Sequence, residues 1–199
     1  MKKKLTSLTA LFIFALGCSP RSWVSSQDRK RESRATSADA ETARRAQAMR
    51  GLRDKLLTSS QADIGLEGKD AEAKVWGVMM EAALPSGIVT IMSLRDGTAS
   101  LYMSTGFGIL GGYSARVEAK RFVVEGEKHL AIMKPAKSFP YPEGGRFKFY
   151  VLTRDGVYTA EADEKEILGE RHALSPLFVA GNEVLTVLRI ASGRAKPDD

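Results

Sequence analysis

The chain holds one cysteine, two histidines and two tryptophans in 199 residues, and each shortage excludes a class of chemistry. Cys18 alone permits neither an internal disulfide nor a thiolate metal cluster. His129 and His172 have no His or Cys partner at ligand spacing, so the sequence presents no metal site. No Gly-x-Ser-x-Gly nucleophile elbow occurs. No apolar stretch reaches the roughly 18 residues that a permanent membrane span requires.

Excess charge is also lacking where a nucleic-acid face would need it. The formal charge is +6, but residues 56–199 carry 17 Lys and Arg against 19 Asp and Glu. The basic surplus belongs to Lys2, Lys3 and Lys4 and to residues 18–55, which hold ten Lys and Arg against five Asp and Glu. A slightly acidic body argues against DNA or RNA as a partner. Hydrophobic content of 43% and charged content of 27% are those of a globular chain.

What is present begins at the N-terminus. Lys2-Lys3-Lys4 is followed by Leu5–Leu16, twelve uncharged and mostly apolar residues. As helix these rise about 18 Å, short of a hydrocarbon core of about 30 Å. That pattern suits the n- and h-regions of a signal peptide over residues 1–17. Ala15-Leu16-Gly17-Cys18 then resembles the lipobox of bacterial lipoproteins, with Ala15 where Leu is commonest and Leu16 where a smaller residue is usual. The resemblance implies acylation of Cys18 and a protein held at the cell envelope by its lipid. Each buried methylene contributes about 0.8 kcal/mol, so two or three acyl chains make a lasting anchor. Ser19 in place of Asp favours the outer over the inner membrane. Cys18→Ser should abolish acylation and membrane retention. A mutant still retained on carbonate-washed membranes, with no acyl label on the wild type, would sink this expectation.

Residues 18–37 read as the lipidated Cys and a flexible tether, because Pro20, six serines and clustered Arg and Lys cannot form a core. The tether reaches about 25 Å. Arg29, Lys30, Arg31 and Arg34 read as solvated linker residues, with anionic head groups as the alternative. Residues 38–73 read as a helix over about 39–58 and a polar connection. Met49, Leu52 and Leu56 supply the helix with a thin apolar stripe.

Residues 74–199 read as one α+β domain. Strands are expected over 75–81, 88–94, 98–104, 146–153 and 157–162. Arg95-Asp96-Gly97 and Arg154-Asp155-Gly156 supply two hairpin turns. A helix is expected over about 114–134, with Ala115, Ala119, Phe122, Val123 and Gly126 stepping by three and four, stopped by Pro135; another opens at Ser175-Pro176, with Ser175 as cap, and is expected to bury Leu177, Phe178, Val184, Leu185 and Leu188. The expected architecture is a single antiparallel sheet of about five strands with helices packed on it, arranged as a ββα–ββα quasi-repeat. Independent use of a common Asp-Gly turn explains the recurrence equally well. The element order is similar to that of single-layer domains of the roadblock, longin and profilin kind, a likeness that implies fold and no activity.

Gly106, Gly108, Gly111 and Gly112 stand after a strand and before a helix, the setting of a dinucleotide fingerprint. The preceding strand is half of a hairpin, and no acidic residue sits at the end of a following strand about 20 residues on, where the sequence reads as helix, so no cofactor is implied. The loop 105–113 reads first as a shape element in which Phe107, Ile109 and Leu110 tuck against the sheet, and second as a small-ligand site. His172 beside Glu170 and Ser175 offers the residue types of a triad, but Ser-Pro at a helix start is ordinary capping. Asp163, Glu164 and Glu166 read as a solvated turn. Segments around Trp76–Glu81, Leu94–Tyr102, the Gly-rich loop, Asp155–Thr159 and His172–Leu177 look like a family of small uncharacterised bacterial proteins, a resemblance over about 74–190 that implies no activity. The expected function is that of a lipid-anchored envelope protein, an interaction or structural module without catalysis. The alternative is a small-ligand binding or sensing module using the loop 105–113.

Overall fold

Each Arg-Asp-Gly tripeptide folds as a hairpin turn in the computed structural model, which describes residues 26–193. Gly97 and Gly156 take positive φ (96° and 123°), which side chains rarely adopt. The Asp96 carboxylate accepts from the Thr98 N–H at 2.8 Å and from its hydroxyl at 2.7 Å, closing the first turn. The hairpins join β2 (Gly87–Leu94) to β3 (Ala99–Met103) and β6 (Arg146–Thr153) to β7 (Gly156–Asp163). They lie on opposite sides of β1 (Val75–Leu84), which pairs antiparallel with β2 and β6.

The sheet has seven strands, in the order β4-β3-β2-β1-β6-β7-β5. The two beyond the expected five form its edges. β4 (Gly108–Gly112) is the Gly-rich segment, whose composition has little strand propensity. β5 (Lys134–Ala136) pairs with β7 where a helix end was expected; its Pro135 is tolerated because the strand is an edge.

Helices cover both faces, which is why β1 is buried almost throughout and does not alternate. On one face, α3 (Arg116–His129) buries Ala119, Phe122, Val123 and Gly126. A single 3-10 turn, Leu130–Ile132, follows α3. On the same face, α5 (Ser175–Ala191) buries Leu177, Ala180, Gly181, Val184 and Leu188. A Cβ on Gly126 would lie 2.4 Å from Val78 Cγ2, so the glycine sets how closely α3 crosses β1. α5 starts with Ser175 already helical after Leu174, and the Ser175 hydroxyl donates to the Ile167 carbonyl at 3.1 Å instead of capping. Ile167 belongs to α4 (Glu164–Leu168), a short helix where a turn was expected; Asp163 caps it by accepting from the Lys165 N–H at 2.9 Å.

On the other face lies the C-terminal half of α1 (Ser26–Thr58). Ala46, Arg53, Leu56 and Leu57 are buried and Met49 is half-buried, whereas Leu52 is exposed. Arg53 therefore takes the stripe position expected for Leu52. The helix opens at Ser26, inside the stretch read as a tether. Side chains from Ser37 to Arg45 are exposed. The connection to β1 contains one short helix, α2 (Gly68–Glu72), and buries Leu66. The chain divides into compact units at Ser37/Ala38, and every contact described below lies within the second. Among the described residues no helix is long and apolar enough to cross a membrane. Cys18, the leader and Ser19 lie outside the described residues.

Candidate binding site

The glycines singled out by the sequence serve two different surfaces. Gly106 takes φ +97°, and a Cβ there would stand 2.8 Å from Arg45 Cβ and 2.9 Å from the Ala46 nitrogen. Gly108 has no positive φ; its Cβ would meet the Met49 sulfur at 2.5 Å. Both let the turn between β3 and β4 press against α1. Gly111, at φ +59°, occupies a bulge where β4 slips against β3, and its N–H donates to the Ser100 hydroxyl at 2.8 Å. Gly112 pairs with Ala99. Gly108, Gly111 and Gly112 thus belong to strand β4 and Gly106 precedes it, so together they do not form the strand-to-helix turn of a dinucleotide site.

Phe107, between Gly106 and Gly108, lines a cavity on the face opposite α1. The cavity has a volume of about 460 Å³ and lies between α5 and strands β1, β2, β3 and β6. Its floor includes Met80, Ile91 and Leu101, each almost wholly buried. Leu84, 42% exposed, stands at its rim. α5 contributes Phe178, Asn182, Leu185 and Arg189, and its C-cap Ser192 continues the same spacing of four and three along one side of the helix. This is a second stripe, next to the buried one. Phe178 and Leu185, expected in the core, are half-buried because they line the cavity. Gly181 lets α5 close on the sheet, since a Cβ there would lie 2.8 Å from Met80 Cε. Phe147 and Phe178 meet edge to face at 4.9 Å.

Beneath α1 the sheet holds a buried ion pair. Glu81 on β1 is fully buried and Arg53 is 3% exposed. Arg53 Nε donates to Glu81 Oε1 at 2.5 Å and Nη2 to Oε2 at 2.8 Å, a bidentate pair. Arg53 Nη2 also donates to the Phe139 carbonyl at 2.9 Å, Nη1 to Asp54 at 2.9 Å, and Thr90 donates to Glu81 at 2.8 Å. The Tyr141 ring lies 4.0 Å from the guanidinium carbon. Burial opposes the charge on Arg53, but the hydrogen bonds and charge of Glu81 outweigh it and hold its pKa above the ordinary value. Nearby, burial raises the pKa of Tyr150, whose hydroxyl donates to the Pro140 carbonyl at 2.7 Å. The carboxylate is sealed and its partners are satisfied, so the cluster locks α1 and the segment 139–141 to the sheet and presents no reacting group.

Sequence reasoning missed this pair, although a signal existed. Arg53 follows Met49 by four residues and precedes Leu56 by three, so it lies on the apolar stripe. Glu81 follows Met79 by two, on the same strand face.

The remaining candidates stay apart. His172 Nδ1 accepts from the Leu174 N–H at 3.1 Å while the Ser175 hydroxyl is committed to Ile167, so no triad assembles. His129 lies between the carbonyls of Glu125 (2.8 Å) and Ala173 (3.0 Å). Among the described residues no three His, Cys, Asp or Glu converge as a metal site. A cleft of about 670 Å³ beside β5 and β7 is lined by Lys134, Lys137 and Lys148. Its one buried cation, Lys148, is already held by the Pro140 carbonyl at 3.2 Å and by Glu161. No family model, curated protein or solved structure matches the chain.

Proposed function

We propose that the chain is a lipid-anchored envelope protein whose folded unit binds an apolar small ligand without transforming it. The cavity beneath α5 carries this reading. At about 460 Å³ it falls within the range of small-molecule pockets, roughly 300–1,000 Å³. Its walls are supplied by rigid strands and one helix, with few polar groups. In this reading the loop 105–113 contributes through Phe107, not through its glycines. The anchor on Cys18 rests on the leader's resemblance to a lipobox.

The test is binding of a neutral apolar fluorophore, N-phenylnaphthylamine, to the full chain carrying Cys18→Ser in detergent-free buffer. Saturable binding should be lost when the cavity is filled by Ala82→Trp or by Leu185→Trp, with the circular dichroism of the fold retained. Absence of saturable binding to the unfilled protein would overturn the reading. A second reading, a protein partner, is favoured by one observation: β4 ends the sheet and leaves Leu110 54% exposed. Capture of an extended peptide that protects the β4 amides from hydrogen exchange would support it.

A further inference from the structure

The cavity has a shape and a polarity that narrow its ligand. Its α5 lining runs from Phe178 to Ser192, a helix rise of about 21 Å. A volume of about 460 Å³ extended along that length suits a long, narrow apolar ligand.

The two ends differ. Toward the N-terminus of α5 the wall is aromatic, with Phe178 against Phe147. Toward its C-terminus stand Arg189 and Ser192, both exposed. Arg189 is the only titratable residue in the lining, and it has no ion pair among the described residues. The acidic residue nearest it on the helix in this region, Glu183, is occupied on another side by Arg121 at 2.9 Å. The last-turn carbonyls of Leu188 and Ile190, which would repel an anion, are capped by the N–H groups of Ser192 and Gly193, each at 3.0 Å. An arginine in a last turn also complements the helix dipole. That role would leave ligand choice untouched, and the two roles separate in experiment.

Resting on the cavity reading above, we infer that the ligand is a single-chain amphiphile with an anionic carboxylate head, its tail along α5 between Phe147 and Leu185 and its head at Arg189. Guanidinium matches a carboxylate bidentately, while the apolar walls account for the tail.

The test is displacement of N-phenylnaphthylamine from the full chain by dodecanoate, dodecanol and dodecyltrimethylammonium, each below its micellar concentration. Dodecanoate should displace the probe at about tenfold lower concentration than dodecanol, the worth of one charge-assisted contact at a partly exposed site. Arg189→Gln should bring acid and alcohol together, each competition being read against the variant's own affinity for the probe. Arg189→Lys should restore part of the preference. If the probe binds but acid and alcohol compete equally, or Arg189→Gln leaves the preference intact, the carboxylate assignment is overturned and the cavity reading survives. The same holds if dodecyltrimethylammonium competes best. If the probe does not bind, or binds equally well to folded Ala82→Trp and Leu185→Trp proteins, the cavity reading itself falls.

Discussion

Arg53→Met should destabilise the protein by about 3–5 kcal/mol, because it takes from a fully buried carboxylate its only ion-pair partner among the described residues. Whole domains are stable by about 5–15 kcal/mol, so the variant would lose about a fifth or more of its margin. The double variant Arg53→Met with Glu81→Leu should recover part of the loss. Apolar side chains of similar size often replace a buried ion pair at little cost. What remains is the Thr90 hydroxyl, which loses its acceptor at Glu81, and the Phe139 carbonyl, which loses its donor at Arg53, each at a cost of about 1 kcal/mol or more. Urea unfolding of the four proteins in the cycle measures this. Single and double variants equally damaged would show that packing of α1, not charge pairing, dominates. A near-neutral single variant would show that water reaches Glu81.

Gly106→Ala should cost about 2–4 kcal/mol, the sum of a strained left-handed backbone and a methyl driven against the α1 main chain. Gly108→Ala should cost about 1 kcal/mol, because it lacks a positive φ and its nearest neighbour, the Met49 thioether, can swing aside. Hydrogen exchange should locate the Gly106→Ala damage at the α1 amides around Ala46, since backbone atoms there must give way. Equal effects of the two substitutions would mean that the turn moves as a whole and that the close approach to α1 is not fixed.

Much of the fold was legible because its cues are local. The Asp-Gly turns mark both hairpins, and the three–four spacing from Ala115 to Gly126 marks α3. The sheet edges were not legible. Gly108–Gly112 is a strand only because β3 offers it a partner, and Lys134–Ala136 only because β7 does. The apolar spacing of α5 was legible, but not that one of its two adjacent stripes lines a cavity while the other fills the core. Nothing local distinguishes Leu185 from Leu188. The sheet beneath them does so, approaching one side of the helix more closely than the other. Arg53 and Glu81 each lie on an apolar face, but they are nearly thirty residues apart and nothing local pairs them.

The turn between β3 and β4 has a mechanical consequence. Gly106 and Gly108 bear on α1, while Phe107 between them forms part of the cavity wall on the opposite face. Tension applied along α1 from its N-terminal side reaches the Gly106–Ala46 contact before it reaches the Arg53–Glu81 latch, which resists in shear. Residues 106–108 thus join two surfaces, since the backbone that bears on α1 is the backbone that carries Phe107 into the cavity wall.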